Sequence, residues 1–226
     1  MVGQLKYSVG GRGKPEWGRL YGLPVLRTRT DPGGWLGDHR LRRAGRTLRR
    51  GGVLRTLVPA DFDRWPVWER YGLLPVDPSP LVRSQGGPLA LEALRRQGIR
   101  PERATVALRG LRADRDMTLA AACLCTQVRH LVVTAPRGGW ELALWLRREF
   151  GVPVLPQNEE AQVALRFAPD SFVREELALE LYGLHPDLAG LNLTVPDLEE
   201  EDRSDLPLLT ALWEGGRLDK RDLKIT

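Results

Sequence analysis

The sequence predicts an α/β protein with a three-layer, mostly parallel sheet, an N-terminal β-hairpin and a small C-terminal extension. Short strand-like apolar runs alternate with helical patterns of ten to fifteen residues, an order that implies parallel strands joined by right-handed crossovers. Apolar residues make up 42% of the 226 residues, enough for a substantial core, and the charged fraction of 28% is ordinary for a soluble chain. We therefore expect three parts: a hairpin at 1–34, an α/β core at 35–168 and an acidic extension at 169–226.

The first part is predicted from two strand-like stretches, 4–9 and 19–29, which the glycine-rich stretch 10–13 connects. A turn at 31–34 follows. Asp38 is then the expected N-cap of a helix that ends before Gly51 and Gly52.

That helix is predicted to be amphipathic, with Leu41, Ala44 and Leu48 forming its apolar stripe. The opposite side carries a basic contact face made of Arg42, Arg43, Arg46, Arg49 and Arg50. Nucleic-acid phosphate is one partner that such a face permits, with binding that weakens steeply as salt rises.

The core and the C-terminal part follow from the same patterns. Strands are predicted at 53–58, 73–76, 104–109, 130–135, 152–155 and 161–167, the last as an edge strand. Helices are predicted at 60–71, 81–97 with a break at 86–88, 116–127 and 140–150. Further elements are expected at 177–182, from 204 onward and at 222–226.

Charge is distributed unevenly along the chain. Residues 1–60 hold thirteen Lys and Arg and three Asp and Glu, a net of +10, whereas residues 171–226 hold six and thirteen, a net of −7. The two ends could attract each other within one chain or between two copies, and the basic end permits an anionic partner. A small anionic ligand, a protein partner or second copy, and nucleic acid all stay open.

Several functional classes have no support in the sequence. The longest wholly apolar run, 119–125, is far too short to span a membrane, and the first residues lack the apolar run of a secretory signal, so we expect a cytoplasmic protein. Cys123 and Cys125 are two apart and would face different sides of a helix, which predicts buried hydrophobic residues and no metal site. His39, His130 and His185 lie in unrelated contexts, and no nucleophile elbow or Walker motif occurs.

The loops after parallel strands are where ligands bind in open α/β sheets. Gly138 and Gly139 open a helix after the strand at 130–135, so bare backbone N–H groups and the Arg137 guanidinium could hold a phosphate or carboxylate. The loop after 104–109 adds further donors, with Asp114 or Asp116 capping the next helix. The predicted ligand-binding residues are Gly110, Arg112, Arg115, Arg137, Gly138 and Gly139.

Residues 104–155 have the spacing of a βαβαβ unit, and this stretch resembles a Rossmann-type domain of the kind found in shikimate dehydrogenases and glutamyl-tRNA reductases. The resemblance implies a glycine-rich turn after the first strand and, at Arg137, the position that reads the adenosine ribose. The stretch 109–114 matches the glycine pattern only at Gly110, and Leu111, Arg112 and Asp114 would crowd a pyrophosphate. The sequence therefore predicts that a dinucleotide is not the cofactor, and it names no other.

The favoured function is non-catalytic binding of a small anionic ligand or a protein partner by a Rossmann-like protein. One alternative is an enzyme that acts on a nucleotide or phosphorylated metabolite on the same scaffold. The other is a nucleic-acid-associated protein that uses the basic contact face of residues 42–50.

Overall fold

The structure is a computed structural model that describes residues 1–8, 14–155, 160–169 and 177–226. The predicted link at 10–13 and most of the loop that follows residue 155 therefore lie outside the described residues. The strands are β1 (Val2–Tyr7), β2 (Glu16–Leu20), β3 (Leu23–Thr30), β4 (Arg55–Leu57), β5 (Leu74–Pro75), β6 (Thr105–Arg109), β7 (His130–Thr134), β8 (Val154–Leu155), β9 (Val163–Arg166), β10 (Leu177–Glu180), β11 (Leu193–Thr194) and β12 (Lys224–Ile225). The helices are α1 (Gly37–Arg50), α2 (Trp65–Glu69), α3 (Ser79–Ser84), α4 (Gly86–Arg96), α5 (Arg115–Cys125), α6 (Gly139–Phe150) and α7 (Leu206–Glu214).

The chain divides into two compact units. The first unit holds Met1–Asp77 and Asp205–Asp219, and the second holds Pro78–Ser204 and Lys220–Thr226. Each contains a five-stranded, mostly or wholly parallel sheet, which confirms the predicted α/β class. The units do not coincide with the expected division at 34 and 168. Strands β4 and β5 pair with the N-terminal strands and not with β6, so they belong to the first unit.

The sheet of the first unit has the order β2-β3-β1-β4-β5. A hairpin does form near the N-terminus, but it joins β2 to β3, whereas β1 runs parallel to both β3 and β4. Tyr21 and Gly22 connect the hairpin strands with φ of 48° and 81°, the positive pair that a tight two-residue hairpin turn requires. The predicted pairing of the first two strand-like stretches as a hairpin is therefore corrected.

Helix α1 covers the first sheet with the predicted apolar stripe. Leu41, Ala44 and Leu48 are buried in one cluster that also contains Leu5 and Trp68. The prediction of Asp38 as the N-cap is wrong. The N-cap residue is Leu36, whose side chain makes no capping hydrogen bond. Asp38 lies in the first turn, where its carboxylate pairs with Arg64 at 3.1 Å.

Gly45 lets α1 approach the ring of Trp68. A Cβ at residue 45 would lie 2.9 Å from Nε1 and 3.1 Å from Cδ1 of this fully buried tryptophan. Alanine favours a helix by about 1 kcal/mol over glycine, but overpacking a core costs about 1–3 kcal/mol. We therefore expect Gly45→Ala to lower the free energy of unfolding in urea by up to about 2 kcal/mol. The exposed Arg42→Ala on the same helix should change it by less than about 0.5 kcal/mol, and a stabilised Gly45→Ala variant would contradict this packing.

The sheet of the second unit has the order β10-β9-β6-β7-β8, and every neighbouring pair is parallel. Counted from β6, this is the order 3-2-1-4-5 of the Rossmann fold, in which the connections diverge between the first and fourth strands. The switch point is thus between β6 and β9. Strand β9 was predicted at an edge, but it is internal because β10 adds beyond it.

The C-terminal residues contribute to both units. Asp205 caps α7 by accepting the N–H of Leu208 at 3.1 Å, and this helix belongs to the first unit. Strands β11 and β12 pair antiparallel in the second unit. Within the described ranges, every helix is too short or too polar to cross a membrane.

Candidate functional site

The structure brings the predicted ligand-binding residues together beyond the carboxyl ends of β6 and β7. The N–H of Gly110 donates to the carbonyl of Thr134 at 2.9 Å, and the N–H of Ala113 donates to the carbonyl of Arg137 at 2.8 Å. Arg112 and Arg137 form an isolated parallel bridge between these bonds. The two segments, residues 110–116 and 135–139, thus run side by side, and we refer to them as the arginine loop pair.

Arg112 and Arg137 are direct cross-strand neighbours in the arginine loop pair, and both are exposed. Arg115, also exposed, lies in the same segment as Arg112 and is the first residue of α5. Among the described residues, none of these three guanidinium groups pairs with a carboxylate. Because like charges directly opposite each other on adjacent strands destabilise the pairing, this position favours a bound anion.

The three predicted glycines, Gly110, Gly138 and Gly139, allow the loops to pack closely and do not mainly present free backbone N–H groups. Gly138 has φ of 76° and caps α6, while Gly139 is buried and its N–H donates to the carbonyl of Ala135 at 3.2 Å. At Gly110, a Cβ would lie 2.9 Å from Cε of Met117. The expectation that Gly139 offers a bare N–H to a ligand is therefore corrected, and the guanidinium groups carry the candidate site.

The N-terminus of α5 is already occupied by a carboxylate of the chain. Asp114, not Asp116, is the N-cap, and its Oδ1 accepts the N–H of Met117 at 3.0 Å. In a Rossmann domain the helix after the first strand presents this end to the pyrophosphate. Here Asp114 takes the hydrogen bond and adds a negative charge where a phosphate would lie.

Arg83 closes the crevice at the switch point, and sequence reasoning missed it. Its Nε donates to the carbonyl of Leu181 at 3.0 Å and its Nη2 to the carbonyl of Phe167 at 2.5 Å. Its Nη1 lies 3.8 Å from Oδ2 of Asp114. One half-buried side chain thus connects the cap of α5 to the residues that follow β9 and β10. No local motif marks it, because its partners are far away in sequence.

A second pair of arginines lies at the switch point itself. Strands β6 and β9 share the tetrapeptide Val-Ala-Leu-Arg, and their register places Arg109 beside Arg166. Arg109 is only 2% exposed and donates to Oγ1 of Thr134 at 2.9 Å. Arg166 pairs with Glu180 at 3.7 Å. The repeated tetrapeptide is a signal that could have indicated this polar row.

The predicted basic contact face also forms, on α1 of the first unit. Its five arginines, residues 42, 43, 46, 49 and 50, are all exposed. Arg46 contacts an aromatic side chain: its Nε donates to the hydroxyl of Tyr71 at 3.2 Å, and its guanidinium lies 5.5 Å from the centre of that ring. The face is thus available to solvent over most of its length.

In the part of the chain that the structure describes, groups with metal-binding or nucleophilic chemistry do not cluster. The three histidines lie on α1, at the start of β7 and in the loop after β10. Burial raises the pKa of both thiols, Cys123 and Cys125, above the ordinary value, which favours the protonated form. Over the described ranges no cluster of His, Cys, Asp and Glu could hold a metal ion.

Comparisons with known proteins give structural likenesses only. No family model and no curated protein matches the chain. Among solved structures, L-tryptophan dehydrogenase from Nostoc punctiforme is 20% identical, with 63% of this chain and 43% of that chain covered and a TM-score of 0.33. A chorismate mutase/shikimate 5-dehydrogenase fusion protein from Clostridium acetobutylicum is 8% identical, with 78% and 75% covered and a TM-score of 0.27. The chain spans less than half the length of the tryptophan dehydrogenase. The Rossmann-like description of the second unit therefore follows from its own strand order.

Proposed function

We propose that the second unit binds a small anionic ligand between Arg112 and Arg137 and that the arginine loop pair catalyses no reaction. The observation that carries this proposal is the direct cross-strand juxtaposition of two exposed arginines that have no carboxylate partner among the described residues. An anion bound between them would accept a charge-assisted hydrogen bond from each and neutralise the like charges that the backbone pairing brings together.

The chemistry of the ligand follows from the donors. Guanidinium groups are planar and bind carboxylate or phosphate oxygens in pairs. Arg115 lies close enough in sequence to add a third positive charge. The first turns of α5 and α6 carry the acidic residues Asp116 and Glu141, which disfavour an anion at these helix N-termini. We infer a ligand with one or two compact anionic groups, held by side chains and not by a helix N-terminus.

A dinucleotide fits this site poorly. Asp114 already caps α5, Arg83 connects both sides of the crevice, and the side chains of Met117 and Phe167 fill the space next to Gly110. These contacts support the proposal that any nucleotide-like ligand binds through its phosphates at the rim of the site, outside the crevice where a dinucleotide lies in Rossmann domains.

Arg137→Glu is expected to weaken anion binding at least tenfold. One hydrogen bond to a charged group contributes about 1.5–3 kcal/mol, and 1.4 kcal/mol corresponds to a factor of ten in Kd. Thermal shift and calorimetric titration would use pyrophosphate, citrate, mononucleotides and nicotinamide dinucleotides. A ligand at about a hundred times its Kd should raise the Tm of the wild type by roughly 5–10 °C.

The matched control is Arg129→Glu, an exposed arginine that precedes β7 at the opposite end of the same strand. It should bind like the wild type. Equal binding by Arg137→Glu and the wild type would remove the loop pair as the site. A flat response of the wild type to every anion would instead favour a protein partner, to be sought by pull-down.

A further inference from the structure

The first unit contains a basic cavity that the sequence did not indicate. Its volume is about 240 Å³, and residues of β3, α1 and the segment before β2 line it. The lining includes five side chains that are or can become cationic: Lys14, Arg29, His39, Arg40 and Arg43. Of these, only Arg43 belongs to the basic contact face predicted from the sequence.

The positive charge around this cavity exceeds its local compensation. Arg29 pairs with Glu16 at 3.2 Å and Arg40 pairs with Asp31 at 3.3 Å. Lys14 and Arg43 have no ion pair in the described part of the chain, and none of the lining residues is acidic. The cavity therefore attracts anions, and its low-dielectric walls strengthen that attraction.

Two polar groups at the cavity lack a hydrogen-bond partner. Thr28 lines the cavity and is 4% exposed, and its hydroxyl oxygen is buried without a partner. The Nε of Arg40 is likewise buried without a partner. An unsatisfied buried polar group costs about 1–3 kcal/mol, and more when it is charged. Both residues line the cavity, so an anion there would bring acceptor oxygens close to the two groups that lack a partner.

We propose that this cavity binds the phosphoryl group of a small phosphorylated molecule. Several cations and the hydroxyls of Thr28 and Thr30 suit the three peripheral oxygens of a phosphoryl dianion better than the two oxygens of one carboxylate. The volume lies just below the range of about 300–1,000 Å³ of drug-sized pockets, so the ligand is small. A nucleic-acid backbone would instead contact the exposed arginines of α1 that do not line the cavity.

This cavity and the loop pair in the second unit have no residue in common. Calorimetric titrations with inorganic phosphate and pyrophosphate would therefore use the whole 226-residue chain carrying Arg137→Glu, which weakens the other site. In that background, Arg43→Gln is expected to weaken pyrophosphate binding at least tenfold, because Arg43 lines the cavity. The adjacent Arg42→Gln, an exposed arginine outside the lining, should leave the affinity within about twofold.

Thr28→Val gives a second readout that a structural role would not produce. The variant removes a hydroxyl that has no partner and keeps the shape of the side chain, so the Tm without ligand should stay equal or rise. The affinity for pyrophosphate should fall several-fold in the same variant.

Three results would overturn the proposal. The first is wild-type affinity in both Arg43→Gln and Thr28→Val. The second is an equal loss in Arg42→Gln, which would indicate general surface charge. The third is tight binding of a single-stranded oligonucleotide by a protein that does not bind pyrophosphate, which would identify nucleic acid as the ligand of this region.

Discussion

Replacing Arg83 with methionine is expected to lower the free energy of unfolding of the second unit by about 2–4 kcal/mol. The substitution leaves the carbonyls of Phe167 and Leu181, both in buried residues, without their donor. It also leaves the carboxylate of Asp114 without its cation. Each hydrogen bond to a charged donor contributes about 1.5–3 kcal/mol, and partial exposure of Arg83 reduces the sum. Urea unfolding measures the total change.

Hydrogen exchange would locate that change. Backbone amides at the ends of β9 and β10 should exchange faster in Arg83→Met. One of them is the N–H of Leu181, which donates to the carbonyl of Arg166. The matched control is Arg95→Met on α4. Its guanidinium is exposed and, among the described residues, pairs only with Glu92, an interaction worth about 0.3–0.5 kcal/mol. Equal stability of the two variants would show that Arg83 does not connect these segments.

Trp68→Ala is expected to destabilise the first unit by about 3–5 kcal/mol, the usual cost of deleting a large buried aromatic side chain. Trp68 is fully buried, and its Nε1 donates to the carbonyl of Leu41 on α1 at 3.1 Å. Its ring also packs on Phe62, with the ring centres 4.7 Å apart, and on Trp65 at 6.2 Å. Removing it leaves a cavity under α1 and deletes the hydrogen bond that ties Trp68 to this helix.

The comparison variant for this prediction is Trp35→Ala. Trp35 is 91% exposed, so its loss should change the free energy of unfolding by less than about 0.5 kcal/mol. Fluorescence-monitored urea unfolding of both variants, with circular dichroism as a second probe, separates the effects. A Trp68→Ala variant as stable as Trp35→Ala would mean that this ring does not organise the core.

Local patterns predicted the second unit well. Its strands β6 and β7 and its helices α5 and α6 begin within a residue of their expected positions, because hydrophobic periodicity and glycine breaks are properties of short segments. The break between α3 and α4 was also expected.

In the first unit, helix α2 is shorter than predicted, because Pro66 lies in its first turn, where proline starts a helix.

Long-range pairing was harder to predict. Strand β1 pairs with both β3 and β4, and β9 lies between β6 and β10. Neither set of pairing partners is encoded in the strand's own sequence. The same reason explains the split into two sheets. Apolar strands indicate that a sheet forms, but the pairing partner depends on packing across the whole unit.

The candidate sites show the same contrast. Arg112 and Arg137 were predicted from a general rule, that loops at the carboxyl ends of neighbouring parallel strands meet. Arg83 was missed because its three contacts reach residues 114, 167 and 181. The basic cavity was missed because it combines a strand, a helix and a loop that no spacing pattern connects.

The most direct test of the central claim is nuclear magnetic resonance of the arginine Nε–Hε groups during titration with pyrophosphate and with citrate. The loop-pair site predicts that the resonances of Arg112 and Arg137, assigned with single variants, shift together and saturate along one binding curve, while Arg129 does not move. Resonances of Arg112 and Arg137 that stay in place, or that drift linearly with Arg129 for both anions, would contradict it.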